Sequence, residues 1–240
     1  MTYLISDIHG DLSTFKKLLT KLHFDSTRDE MIIIGDIFDR NPYGIELLTY
    51  IAPYLKNQSM KLIIGNHEYF AKLYLKGRLS EAKWSAFGGE ATLGVIQNMT
   101  QEEKEALLAF IDSLPYYIEL DRKMYGKRVV LTHTGIDCDH YVYNTNGDIN
   151  VVESIKQAVA ANAYKYLISI DLHNIPASDL KKLDSYIICG HLCTFHLNED
   201  ASSRIYQTSS YTDIDAGAGY REEGGLLACY CPETNETVYM

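Results

Sequence analysis

Five short polar motifs, each directly after an apolar run, constrain this chain most: Asp7-Ile8-His9-Gly10, Gly35-Asp36-Ile37-Phe38-Asp39-Arg40, Gly65-Asn66-His67-Glu68, Thr132-His133 and Gly190-His191. The runs ahead of them are Tyr3-Leu4-Ile5, Met31-Ile32-Ile33-Ile34, Lys61-Leu62-Ile63-Ile64, Val129-Val130-Leu131 and Tyr186-Ile187-Ile188-Cys189. Continuous apolar and β-branched runs of this kind suit strands buried on both faces. Laid side by side, such strands deliver all five motifs to one rim. That rim collects Asp7, His9, Asp36, Asn66, His133 and His191, all able to ligate a metal, with His67, Asp39 and Arg40 beside them. One fragment alone reads as a solvated loop; five in order, in the same context, do not. Gly10, Gly35, Gly65 and Gly190 adjoin the polar residues, as expected where a sharp turn close to a ligand needs glycine's backbone freedom.

The motif order resembles that of a binuclear, calcineurin-like metallophosphoesterase, and more narrowly the PPP family of serine/threonine phosphoprotein phosphatases of bacterial type. The resemblance runs from Asp7 to His191. Its most specific part is Gly-Asp-x-x-Asp-Arg followed by Gly-Asn-His-Glu. The resemblance implies that Asp7 and His9 hold one metal, that Asp36 bridges two, and that Asn66, His133 and His191 hold the second. It further implies that His67 is the proton donor oriented by Asp39, and that Arg40, with Asn66, grips the substrate phosphate.

The residue types make chemical sense of those roles. Two divalent ions about 3.5–4 Å apart need a bridging carboxylate, the natural place for Asp36. Imidazole and carboxylate together suit Mn, Fe, Zn or Co, with Ni also admissible, better than Ca or Mg; manganese is the first expectation. Water shared by two such ions loses its proton near neutral pH and becomes the nucleophile. Arg40 offers a fork to phosphoryl oxygens, and His67 beside Asp39 is the available general acid. No covalent nucleophile is needed, and the chain has no Gly-x-Ser-x-Gly elbow and no Cys in a phosphate-binding loop.

Composition narrows the class further. With 240 residues, 46% of them hydrophobic, the chain can bury a large core, and no linker or repeat divides it, so a single domain over 1–240 is expected. The net charge of −10 argues against a groove for long nucleic acid. Nineteen Tyr against one Trp are read as packing rather than base stacking. No run approaches the roughly 18 apolar residues of a membrane span, and with a strand expected from residue 2 no signal peptide is expected. Five cysteines fit a reducing compartment, so a cytoplasmic protein is expected, with Cys229 and Cys231 as buried packing.

Between the motifs the chain alternates helix and strand. Asp11-Leu12-Ser13 opens a helix with Phe15, Leu18, Leu19 and Leu22 on one face, and Pro42 starts a second over Ile45 to Tyr54. The stretch after Glu68 to about Ser113 is mostly helical, with a start at Thr100-Gln101-Glu102-Glu103. Ser203 to Tyr206, Tyr211 to Ile214, Leu226 to Tyr230 and Thr237 to Tyr239 alternate like antiparallel strands. The expected fold is α/β: a four-layer α/β/β/α metallophosphatase sandwich, its mixed sheets flanked by helices.

Two departures from the family bear on substrate. The span from His133 to His191 lacks the second phosphate-binding Arg; Lys156, Lys165, Lys181 and Lys182 are its only cations, and lysine is a point charge rather than a fork. Arg40 is followed by Asn41-Pro42 instead of Gly. His140, Tyr141, Tyr143 and the helical run Ile155 to Ile170 are candidates for a wall that selects substrate. His23, His140, His173 and His196 are read as surface residues, and Asp137 and Asp139 as a turn. The first functional expectation is a phosphoserine/phosphothreonine protein phosphatase. The runner-up is a symmetrical dinucleoside tetraphosphate hydrolase or another small-phosphoester hydrolase, and a non-catalytic phosphate-binding scaffold is the competing class. A phosphorylated protein or small phosphoester is the expected partner, with no membrane.

Overall fold

Ten strands, β1 (Thr2–Ile5), β2 (Glu30–Ile34), β3 (Met60–Ile63), β4 (Tyr117–Met124), β5 (Lys127–Thr132), β6 (Ser185–Cys189), β7 (Tyr206–Gln207), β8 (Tyr211–Asp213), β9 (Ala228–Cys231) and β10 (Glu236–Tyr239), form two sheets of five. They are seen in a computed structural model that describes residues 1–240. The first sheet runs β10-β9-β1-β2-β3, the second β4-β5-β6-β8-β7. β1, β2 and β3 are parallel, with Ile5 beside Ile33 and Ile34 beside Ile63. β5, β6 and β8 are parallel too, with Leu131 beside Ile188 and Ile188 beside Thr212.

The strand residues explain the layering. Leu4, Ile32, Ile34 and Ile63 of the first sheet share a buried cluster with Val129, Leu131, Ile188 and Ile214 of the second. The alternate residues Ile5, Ile33 and Leu62 join Phe15, Leu18, Leu47 and Ile51 of the helices in the larger core. Strands covered on both faces can be apolar along their length, and Leu4-Ile5, Met31 to Ile34 and Tyr186 to Cys189 are apolar and buried throughout. The expected two-sheet sandwich flanked by helices is present. All five motifs leave the carboxyl ends of parallel strands, so they converge on one rim.

α1 (Leu12–Leu22) starts where the Asp11 carboxylate accepts the Thr14 N–H at 3.1 Å, and it buries Phe15, Leu18 and Leu19. α2 (Gly44–Lys56) begins two residues past Pro42. Its Gly44 packs so closely that an added Cβ would meet the Phe38 Cα at 3.0 Å. α3 (Asn66–Leu75) opens inside the third motif, so its first turn carries Asn66, His67 and Glu68. α4 (Glu81–Ser85), α5 (Glu90–Gln97) and α6 (Gln101–Ser113) fill the helical stretch. Thr100 and Glu103 exchange the expected capping bonds, at 3.2 and 2.8 Å. α7 (Val151–Leu167) breaks at Asn162 (φ −163°, ψ 92°), and α8 (Ala177–Leu180) follows it. No helix is long and apolar enough to cross a membrane.

The last quarter keeps the expected antiparallel pairs, β7 with β8 and β9 with β10, and differs from the sequence reading in length and in one parallel pairing. β8 runs parallel to β6, and only β7 opposes it, while β9 and β10 complete the other sheet. Alternation reports burial of one face and carries no information about strand direction. The strand expected at Ser203 shrinks to Tyr206–Gln207. β4 was not anticipated: Ile118, Leu120 and Met124 pack on the inter-sheet core, but Arg122 interrupts the alternation beside a register shift.

Candidate metal centre

The loops at the rim hold six of the candidate side chains on left-handed backbone: Asp7 (φ 51°), His9 (47°), Asp36 (56°), Asp39 (68°), Arg40 (66°) and His191 (77°). L-residues resist that region by about 1–3 kcal/mol each, yet more than half of the chain's non-glycine examples sit here. Gly35 (φ 83°) meets the expected need for conformational freedom. Gly65 (φ −102°) does not; it stands where any side chain would run into the Asp36 carboxylate.

Asp36 is the hub. Its Oδ2 lies 3.3 Å from His133 Nε2 and 3.9 Å from the Nε2 atoms of both His9 and His67. His9 Nδ1 is 2.8 Å from the Phe38 carbonyl, and His133 Nδ1 is 2.9 Å from that of Ile34. Those bonds place the proton of a neutral ring on Nδ1 and aim the Nε2 lone pair at Asp36, as metal-ligating histidines require. Asn66 Oδ1 lies 2.8 Å from His133 Nε2 and 2.9 Å from His191 Nδ1. Asp7 Oδ1 is 3.9 Å from His9 Nε2, while its Oδ2 accepts the His191 N–H at 3.0 Å and the Ser6 hydroxyl. Two donor groups result, Asp36 with His9 and His67, and Asp36 with His133 and His191, each with donor atoms within 4.8 Å of one another. All six sequence-derived ligand candidates are therefore gathered, with His67 close enough to join the first group.

The electrostatics fit divalent cations. Burial opposes ionisation of Asp36, but His133 and His67 hold it well below the carboxylate range. Burial pushes His9 well down and His191 down to about 3, so both rings are neutral, as ligands must be. Burial would also lower His133, but the Asp36 carboxylate outweighs it and raises the ring to about 10. The proton on His133 thus lies between Asp36 and Asn66, where a cation held by the same groups would sit. A buried set of carboxylate, imidazole and amide oxygen suits first-row transition ions.

A second ring of residues fixes the first. Glu68, fully buried, accepts the backbone N–H groups of Asp36 (2.8 Å), Ile37 (2.8 Å), Phe38 (3.3 Å) and Gly65 (2.9 Å), clamping the second motif to the third. Burial and the Asp36 charge push it up to about 7 against those bonds. Asp39 Oδ2 lies 2.6 Å from His67 Nδ1, and Thr92 Oγ1 accepts the Asp39 N–H at 3.0 Å. Arg40 is half-buried, its Nε unpartnered and its guanidinium 4.2 Å from the Tyr220 ring centroid. Thr92 and Tyr220 were missed in the sequence, since nothing local ties them to the motifs.

A cavity of about 400 Å³ opens beside these groups. Arg40, Asn66, His67 and His191 line it together with Phe70, Phe87, Tyr164, Ile168 and Tyr220. From the proposed selective wall, Tyr164 and Ile168 reach the cavity, whereas His140, Tyr141 and Tyr143 do not. Lys156, Lys165, Lys181 and Lys182 do not line the cavity, so none stands there in place of the second Arg. His173 is not at the surface as expected: its side chain is buried, with Nε2 3.2 Å from Asp213, because its short helical turn packs onto the second sheet. Cys229 and Cys231 are buried, as expected.

The family described as calcineurin-like phosphoesterase matches residues 2–195. A symmetrical bis(5'-nucleosyl)-tetraphosphatase of Proteus mirabilis is 29% identical over 135 residues, 56% of this chain and 44% of the relative. One from Coxiella burnetii is 26% identical over 216 residues, 90% of this chain and 67% of the relative. The chain thus spans roughly half to two thirds of these relatives' length. A protein serine/threonine phosphatase of Saccharomyces cerevisiae shares the fold, with TM-score 0.62 and 16% identity over 95% of this chain and 71% of that one. This chain belongs to the calcineurin-like phosphoesterase family.

Proposed function

We propose that this chain, acting as one unit, is a metal-dependent hydrolase of phosphoric esters and anhydrides whose substrate is a dinucleoside tetraphosphate. One observation carries the hydrolase reading: the Asp36 carboxylate is shared by two buried donor groups beside a cavity lined by His67 and Arg40. In this reading Asp7 and His9 hold one ion, Asn66, His133 and His191 hold another, and Asp36 serves both, with manganese first among the candidates. Bound ions neutralise phosphoryl charge and acidify the attacking water. Arg40, with Nε free, binds phosphoryl oxygens, and Asn66 lies beside them. His67 presents Nε2 as proton donor to the leaving oxygen while Asp39 stabilises the charged ring.

The motifs alone favour a phosphoprotein substrate, and two observations reverse that order. The curated relatives are described as bis(5'-nucleosyl)-tetraphosphatases, and Arg40 is the only cationic Lys or Arg side chain lining the cavity. Protein phosphatase activity is the second reading, favoured by Asp39-Arg40 together with His67-Glu68. The test is kcat/KM at fixed manganese for diadenosine tetraphosphate against phosphoserine peptides. A lead of about a hundredfold, roughly 2.7 kcal/mol in the transition state, is expected for the nucleotide. The opposite ranking restores the protein phosphatase, and a metal-loaded chain without turnover on either is a scaffold.

A further inference from the structure

We infer that Phe87 and Tyr164, backed by Phe70, form an aromatic slot that binds a nucleobase of the substrate. The inference rests on the nucleotide reading above and adds the residues that recognise the nucleoside. Phe87 and Ile168 are 38% and 39% exposed at a cavity that Arg40, His67 and the candidate ligands Asn66 and His191 also line. Large apolar side chains grouped at the mouth of a site are a mark of ligand contact.

The aromatic rings form a continuous path away from the reacting centre. Phe70 lies 5.3 Å from the His67 ring, Phe87 stacks on Phe70 at 4.8 Å with an interplanar angle of 19°, and Tyr164 is 6.1 Å from Phe70. The Phe87 loop is tied to the phosphate end, since the Gly88 carbonyl accepts the Arg40 N–H at 2.8 Å. A ligand whose phosphate meets Arg40 therefore has Phe87 within the same cavity.

Tyr164 is placed there by a break in the helix. At Asn162 the backbone of α7 leaves helical angles, and the Asn162 side chain then accepts the Lys165 N–H at 3.1 Å, restarting the helix. The restarted turn carries Tyr164 and Ile168 to the cavity. Away from Arg40, Asn66, His67 and His191, the wall offers only tyrosine hydroxyls as hydrogen-bonding side-chain groups. Such a wall reads a flat π face rather than the donors and acceptors of a peptide backbone. Although the chain's abundant tyrosines read as packing, Tyr164 is only partly buried and lines the cavity.

The test is calorimetric titration of manganese-supplemented protein with ADP and with pyrophosphate. Stacking of one base predicts that ADP binds the parent chain about ten- to a hundredfold tighter than pyrophosphate. Phe87→Ala and Tyr164→Ala should each remove most of that lead with pyrophosphate affinity unchanged, and Tyr164→Phe should retain it. The slot is overturned if ADP has no lead in the parent chain, if the lead survives in both alanine variants, or if both ligands weaken together. A Phe87-dependent ADP lead in a protein that prefers phosphopeptides in turnover would leave the slot standing and refute the dinucleoside substrate.

Discussion

The Trp84 indole donates from Nε1 to Oδ2 of Asp39 at 2.8 Å, the same oxygen that faces His67 Nδ1. The other Asp39 oxygen is buried without a partner, so Trp84 and His67 alone orient this carboxylate. The sole Trp of the chain is thus a positioning residue for the proposed proton donor. Trp84→Phe keeps the ring and removes the donor. It should slow hydrolysis of alkyl phosphates about tenfold, the loss of one buried bond to a charged group. p-Nitrophenyl phosphate should change far less; equal losses on both substrates would mean a general packing defect.

His67 itself should show a steeper version of the same split. p-Nitrophenolate departs without a proton, whereas a seryl alkoxide does not. His67→Asn should therefore cut alkyl phosphate turnover much more than aryl phosphate turnover, while Asn66→Ala harms both. Parallel losses in the His67 variant would remove the acid assignment.

Metal removal is the third expectation. Chelator should abolish hydrolysis and leave the far-ultraviolet circular dichroism largely intact, because both sheets are held by apolar burial rather than by the rim. Asp36→Asn should lose metal from both donor groups at once. Elemental analysis that finds no Mn, Fe, Zn, Co or Ni, with no activation on adding them, would defeat the binuclear reading.

Glu68→Gln tests the clamp between the second and third motifs. The substituted NH2 would face backbone N–H donors that have no other buried acceptor. A loss of about 2–3 kcal/mol in urea unfolding is expected, together with a fall in activity. An unchanged midpoint would show that the clamp is dispensable.

The metal-free protein should also have an alkaline stability limb. His133 is raised from its ordinary 6.5 to about 10, so the folded state binds more protons than the unfolded state between those values. Its contribution is full below pH 6.5 and is lost as pH rises toward 10, by at most about 1.4 kcal/mol per pH unit. Asp215, pushed up to about 7 by burial and Asp213, acts in the same direction to pH 7. Thermal melts across pH 6.5–10 should fall in chelator and flatten with manganese, because binding keeps His133 neutral. A flat profile in chelator would contradict the coupling to Asp36.

Much of this was readable from residues alone because the motifs and their strands are local signals. An apolar run followed by Asp-Ile-His or Asn-His-Glu states both the strand and the group it delivers, and all six ligand candidates converge as expected. What escaped depends on contacts distant in sequence. Thr92 touches Asp39 and Tyr220 covers Arg40 from far along the chain. His173 looked like any loop histidine until its turn was packed on the second sheet. β4 hid because one arginine broke a period of two. Substrate choice was least legible, since the cavity wall proposed to make it is built from α3, α7 and the Phe87 loop.

The left-handed backbone at Asp7, His9, Asp36, Asp39, Arg40 and His191 has a consequence for anyone redesigning this protein. Glycine would relieve each of those residues of a local conformational penalty. A search that rewards melting temperature alone would be drawn to these positions and erase the chemistry first. Thermostability in this scaffold has to be sought in the outer helices, with the rim held fixed.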